Sequence, residues 1–244
     1  MRIIFLGEYG GFPGVNSATS SFLIEEEGFT LLVDCGSGVL SKLQEHIPWS
    51  SLDACILSHY HHDHVADIGC LQYAMLVQSQ LGNRHEILPI YGHSKDSKFM
   101  ELDFEQYTKG IEITADYTTK IGPFTITFCE TTHPVYCLAM KFQTLHSAIV
   151  YTADTEWNEQ LVSFASGADV LISEASIYKE QEGLIKGHLT GEQAGKLAQE
   201  SGVKHLYLTH LPHYGIHENL VKEAKTYYNG PIQIVKSGLK VKIE

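Results

Sequence analysis

Short apolar runs with β-branched and aromatic residues alternate with segments whose apolar positions recur at three- and four-residue spacing. That contrast separates strands from helices. Strands are predicted over residues 3–6, 20–25 and 30–34, a helix over 39–45, a short apolar strand over 54–58 and a long helix over 68–81. Residues 87–151 read mainly as strands, including 124–130, 137–142 and 148–151. Helix and strand then alternate: helices over 158–165, 191–202 and 218–228, strands over 170–173, 205–209 and 232–235. Strand-rich halves with helices interspersed at both ends predict an α/β fold, a four-layer αββα sandwich of two mixed sheets packed face to face with helices outside.

Length and charge narrow this picture without changing it. A chain of 244 residues suits a single domain over 1–244, and 43% hydrophobic with 19% charged residues supports a packed core. Seventeen basic against twenty-nine acidic side chains leave a net charge of −12, which weakens any reading based on a broad basic face gripping nucleic acid. The densest basic group, Lys236, Lys240 and Lys242, reads as a solvated strand edge. Five cysteines, Cys35, Cys55, Cys70, Cys129 and Cys137, form no C-x-x-C pair and read as reduced, mostly buried thiols. The apolar stretch at the N-terminus is too short for a signal-peptide core, and no run approaches a membrane span, so a cytoplasmic location is expected.

The fourteen histidines do change the picture. Four of them stand with an aspartate in Ser58-His59-Tyr60-His61-His62-Asp63-His64, three of the four at the fixed positions of an H-x-H-x-D-H sequence directly after a predicted strand. Imidazole nitrogen and carboxylate oxygen are the donors of catalytic Zn²⁺ sites, and a loop at a strand's end holds them on a rigid base. So short a loop cannot close two coordination spheres. Further donors are expected where other apolar strands end, at His133, Asp154 and His210. His62, interleaved between the donors, is expected to point away, and Asp34 and Glu174 are candidates for orienting a ligand histidine.

This ordered set, with Leu6-Gly7-Glu8-Tyr9-Gly10-Gly11-Phe12-Pro13 and the Asp34-Cys35-Gly36 turn, resembles the metallo-β-lactamase superfamily of binuclear hydrolases over nearly the whole chain. The resemblance implies the metallo-β-lactamase fold and two Zn²⁺ ions, with Mn²⁺ or Fe²⁺ as alternatives. It places one ion on His59, His61 and His133 and the other on Asp63, His64 and His210, with Asp154 bridging. It also implies that a metal-bridging hydroxide attacks the substrate and that Asp63 takes a proton as general base.

Tyr151-Thr152-Ala153-Asp154-Thr155 and Gly187-His188-Leu189-Thr190 are similar to the tRNase Z branch. There the histidine of H-x-T, here His188, serves the phosphate or leaving oxygen, while Thr190 caps the helix that follows. His133 and Asp154 are only 21 positions apart, which leaves no room for the tRNA-clamping arm of that branch. The expectation is therefore a phosphodiesterase for a small-molecule or short single-stranded nucleic acid phosphodiester, with tRNA and membrane disfavoured. The alternative is an acyl hydrolase of lactones or thioesters with the same metals, in which Tyr214 would matter more than His188. His213 and Tyr214 are candidates either for lining the substrate pocket or for loop packing. A homodimer is expected from the resemblance alone, since the sequence displays no exposed apolar stripe.

Overall fold

Fourteen strands form two seven-stranded sheets in the computed structural model, which describes residues 1–243. The chain divides into two compact units, one of Met1–Thr114 with Lys236–Lys242 and one built on Ala115–Val235, and each unit holds one sheet.

The first unit contains β1 (Arg2–Gly7), β2 (Ser21–Glu26), β3 (Phe29–Val33), α1 (Val39–Leu43), β4 (Ala54–Ile56), α2 (His62–Val65), α3 (Ile68–Gln80), β5 (Leu88–Gly92), β6 (Thr108–Glu112) and the late strand β14 (Lys240–Lys242). Its order is β14-β1-β2-β3-β4-β5-β6, antiparallel as far as β3 and parallel beyond. Period-2 alternation sends Ile4, Leu6, Leu23, Leu32, Cys55 and Leu57 to one face, where Val39, Leu43, Leu71 and Met75 of the helices cover them. Ile3, Phe5, Ile24, Leu31 and Val33 on the other face are equally buried, so these strands read as continuous apolar runs. The β14 edge strand carries exposed Lys240 and Lys242, as the terminal lysines suggest.

The second unit contains β7 (Thr119–Ile121), β8 (Phe124–Glu130), β9 (Leu138–Gln143), β10 (Ala148–Tyr151), α4 (Glu159–Ala165), β11 (Val170–Glu174), α5 (Gly191–Ser201), β12 (His205–Thr209), α6 (His217–Ala224) and β13 (Ile232–Ile234). Its order, β13-β12-β11-β10-β9-β8-β7, repeats the plan of the first unit: β7 to β10 are antiparallel, β10 to β13 parallel. Leu161, Leu197, Ala198 and Leu220 pack on Val150, Leu171, Leu206 and Leu208. Helix α5 starts on a capping box, Thr190 Oγ1 accepting from Gln193 N at 3.1 Å and Gln193 Oε1 from Thr190 N at 3.0 Å. Gly191 and Gly195 let α5 lie against α6; a Cβ at Gly195 would overlap the carbonyl of Ala224.

The structure departs from the sequence reading at a few element ends. The strand predicted to reach residue 58 stops at Ile56, because Ser58 turns to hydrogen-bond Asp34. The metal-motif segment, expected as a loop throughout, folds from His62 into one helical turn closed by Ala66 N donating to His62 O at 2.8 Å. The last helix ends at Ala224, and Tyr228 beyond it donates its hydroxyl to Val203 O at 2.9 Å. Between His133 and Asp154 the chain forms β9 and β10 with short connections. All five cysteines are free; Cys35, Cys55 and Cys137 are buried and Cys70 is exposed. Burial pushes the thiols of Cys35 and Cys55 well up, which keeps them protonated and inert.

Candidate metal centre

Each unit gathers its own set of donors at the C-terminal ends of its strands, where open α/β sheets build sites. In the first unit β3 ends into Asp34 and β4 into Ser58, on neighbouring parallel strands. Asp34 is fully buried and accepts from Ser58 N at 2.7 Å, Ser58 Oγ at 2.9 Å and His64 Nδ1 at 2.8 Å. A carboxylate only accepts, so His64 carries its hydrogen on Nδ1 and presents Nε2 as a lone pair. Ser58 Oγ gives its hydrogen to Asp34 and therefore accepts from His59 Nδ1, 3.0 Å away, which fixes the same tautomer in His59. His59 Nε2 in turn lies 3.0 Å from His61 Nδ1. Asp63 Oδ2 accepts from Gly11 N at 2.7 Å and lies 3.5 Å from His64 Nε2.

The segment is clamped from behind by a residue that the sequence reading passes over. Tyr60, between two of the donors, is buried; its hydroxyl donates to His93 O at 2.8 Å and its carbonyl accepts from Lys98 Nζ at 2.9 Å. Burial pushes the Tyr60 hydroxyl well up, so it remains a donor. His62 is exposed, as expected. Gly36 is required for contact: a Cβ there would overlap the carbonyl of Asp63. Gly36→Ala is expected to destabilise the fold by about 2–3 kcal/mol through overpacking and to weaken metal uptake by displacing Asp63. Urea denaturation and metal titration of the variant would check both effects.

The second unit repeats this device. Glu174, fully buried at the end of β11, accepts from Thr155 N at 2.7 Å and from Ser176 Oγ at 2.6 Å. Ser176 Oγ, having given its hydrogen to Glu174, accepts from His210 Nδ1 at 2.6 Å. Both oxygens of Glu174 stand 3.2 Å from His188 Nδ1. One buried carboxylate thus orients two imidazoles, one directly and one through a serine: His64 and His59 on Asp34, His188 and His210 on Glu174. His133 Nδ1 donates to Gly187 O at 2.9 Å, and Gly187 N is held by Glu156 Oε1 at 2.8 Å. Asp154 is anchored through its carbonyl, which accepts from Thr131 Oγ1 at 2.7 Å. Its Oδ2 lies 3.3 Å from His210 Nε2 and 3.9 Å from His133 Nε2. The His188 ring sits 5.5 Å from that of His133 and 5.4 Å from that of His210.

A divalent ion fits these donors. Two ligands about 2.1 Å from one ion at a tetrahedral angle stand roughly 3.4 Å apart. The Asp63–His64 and Asp154–His210 separations of 3.5 and 3.3 Å match that edge. Backbone strain collects at the same strand ends: Asp34 (φ 56°), Ala153 (φ 51°) and His210 (φ 51°) are left-handed non-glycine residues following β3, β10 and β12.

Ser58, Tyr60 and Gly187 enter the sequence reading only as motif neighbours without a role, and Ser176 and Glu156 not at all, because a serine or backbone carbonyl has no signature until the register places it beside an imidazole. Tyr214 donates its hydroxyl to Gln181 Oε1 at 2.9 Å, which commits it to loop packing, and His213 is exposed.

Residues 30–211 match the family model of the β-lactamase superfamily domain. The chain is 50% identical to a probable metallo-hydrolase, YhfI, of Bacillus subtilis over 98% of both chains. The crystal structure of YhfI superposes with a TM-score of 0.97 at 49% identity, again over 98% of each chain. Two more distant solved structures share the fold: human tRNase Z, short form (TM-score 0.78, 20% identity, 100% of both chains), and a diphosphatase from the PhnP family (TM-score 0.80, 18% identity, 100% of this chain and 98% of that one).

Proposed function

The chain belongs to the β-lactamase superfamily and is a metallo-hydrolase, and from that premise we propose that it is a binuclear zinc phosphodiesterase for a small or single-stranded phosphodiester. In this reading 1–244 works as one hydrolase domain in the cytoplasm, with no tRNA arm. Among the described residues no helix is long and apolar enough to cross a membrane.

We assign His59, His61, His133 and Asp154 to one ion and Asp63, His64, Asp154 and His210 to the other, so that Asp154 is shared. When bound, the ions supply Lewis acidity, activating water and neutralising charge on phosphate oxygens.

The protein's own residues supply the rest. The Asp34 and Glu174 networks fix the tautomers of His59, His64 and His210, so their Nε2 lone pairs are set before substrate arrives. Asp63, held by Gly11 N, is the acceptor for the proton of the attacking water. His188 acts in its doubly protonated form: Nδ1–H is held by the Glu174 carboxylate, and Nε2–H passes its proton or a hydrogen bond to the leaving oxygen, which leaves the neutral ring. Glu156 fixes Gly187 and thereby both His133, through the Gly187 carbonyl, and the start of the His188 segment.

The observation that carries the phosphodiester reading is His188 itself. It is an imidazole braced by a buried carboxylate and ring-to-ring with His133 and His210, an arrangement suited to a departing alkoxide. Acyl transfer would call for a donor such as Tyr214, whose hydroxyl is already bonded to Gln181.

The test is hydrolysis of bis(p-nitrophenyl) phosphate and of matched lactone and thioester substrates by metal-loaded protein. His188→Ala is expected to lower phosphodiester kcat by about 10²-fold with metal content unchanged. Equal phosphodiesterase rates for wild type and His188→Ala, or turnover confined to the acyl substrates, would overturn the reading.

A further inference from the structure

His188 forms one wall of a cavity of about 250 Å³ inside the second unit. Trp157, Ile177, Glu182, Lys186 and Gln193, which have no part in the chemistry described so far, wall it further. A pocket for a drug-sized molecule takes about 300–1,000 Å³, so this one holds a single group and not a run of chain. Because His188 faces the leaving oxygen in the proposed reaction, whatever departs with that oxygen lies against these walls.

The walls are set before anything binds. The Trp157 indole is fixed by Nε1, which donates to Glu159 Oε1 at 3.0 Å, and by Lys196, whose Nζ lies 4.1 Å from the ring centroid. Lys196 belongs to a separate hollow with Glu192 and Tyr227, and Trp157 borders both, so the indole stands as a partition whose other face serves the cavity. Gln193 is locked at both ends of its carboxamide: Oε1 accepts from Thr190 N at 3.0 Å and Nε2 donates to Glu182 Oε1 at 2.9 Å. Glu182 Oε2 is left as an acceptor. Buried Ile177 adds an apolar surface. A rigid indole beside an aliphatic wall takes a planar ring, as when a base stacks on an aromatic side chain, and a carboxylate oxygen accepts from the hydroxyls of a sugar.

Charge limits what can follow that ring. Glu156 and Glu182 put two carboxylates on the cavity against the one ammonium of Lys186, while the imidazolium of His188 is already matched by Glu174. A further phosphate on the leaving group would enter that field in a protein whose net charge is −12; an uncharged group meets no repulsion.

We propose that this cavity is the leaving-group subsite and that the leaving group is a nucleoside without a further phosphate, its base stacked on Trp157 and a sugar hydroxyl donating to Glu182. The assignment rests on the phosphodiester reading and narrows it, from a small or single-stranded substrate to a small one that ends one nucleoside past the cleaved bond.

Two measurements on the metal-loaded full chain test this. In Trp49→Phe protein Trp157 is the only tryptophan left, and deoxyadenosine is expected to quench its fluorescence saturably with a dissociation constant of about 1 mM. The wild type should cleave the dinucleoside monophosphate of deoxyadenosine with kcat/KM at least about 10-fold above that of the same compound carrying an extra phosphate on the leaving nucleoside. Trp157→Leu should raise KM for the first substrate about 10-fold with kcat within about twofold, and Trp157→Phe, which keeps a ring, should recover most of the loss. Glu182→Lys, at an exposed position, should bring the two substrates level. No quenching at about 10 mM deoxyadenosine, an unchanged KM in folded Trp157→Leu, or equal use of both substrates by the wild type would each overturn the subsite. Quenching needs no turnover, so the two readings fail separately. Hydrolysis of bis(p-nitrophenyl) phosphate without quenching sinks the subsite alone; quenching without hydrolysis of any phosphodiester sinks the leaving-group role together with the phosphodiester reading.

Discussion

Asp154→Ala is expected to lower phosphodiester turnover by at least about 10³-fold and to leave the purified protein short of metal. In the proposed centre Asp154 is the only donor common to both ions, so its removal opens two coordination spheres at once. The fold should survive, because the anchoring bond runs from Thr131 Oγ1 to the Asp154 carbonyl and not to its side chain. Asp154→Asn keeps the shape but loses the charge, and should fall between the two. Elemental analysis and bis(p-nitrophenyl) phosphate kinetics on one preparation would decide the matter; a folded Asp154→Ala protein with full metal and more than about a tenth of wild-type turnover would sink the bridging assignment.

Asp34→Ala is expected to cost stability as well as metal. The change strips hydrogen-bond acceptors from Ser58 N, Ser58 Oγ and His64 Nδ1 in a fully buried place, a loss of about 3–5 kcal/mol. It also puts alanine at φ 56°, which costs roughly 1–2 kcal/mol that Asp34→Gly would not incur. Asp34→Asn, tolerant of that backbone, should be the mildest of the three. Metal affinity should drop about 10- to 100-fold in all of them, because His64 and His59 lose their tautomer lock together. Denaturant unfolding of the chelated variants isolates the stability effect, and competition with a chromophoric chelator isolates the affinity. Wild-type affinity in Asp34→Ala would show that the carboxylate serves the fold alone.

Chemistry that resides in side chains of rare type was legible in the sequence, and chemistry that depends on register was not. His59, His61, Asp63 and His64 announce themselves by spacing. His133, Asp154 and His210 do so because each follows an apolar strand, and Asp34 and Glu174 were visible as carboxylates closing such strands. Which imidazole each carboxylate would hold was hidden. By sequence Glu174 was tied to no one histidine more than another, and only the β10-β11-β12 register places it beside His188 and, through Ser176, His210. Element ends were blurred where a side chain competed with the backbone, as at Ser58. The fold class needed less, since ten strand runs interleaved with five helical ones already imply two sheets flanked by helices, although β5, β6, β7 and β14 were not separately read.

The paired serine relays carry one more consequence. Many small metal proteins are unfolded until an ion arrives, because nothing else holds their ligands. Here, in each unit, the imidazoles leaning on Asp34 or Glu174 are tied by hydrogen bonds that involve no ion. Preorganisation of this kind means that an arriving ion displaces water without having to order chain, so loading can be fast and reversible. It also means that the empty protein stays native, and a cell short of metal would hold a reserve of folded, idle enzyme instead of a pool destined for degradation.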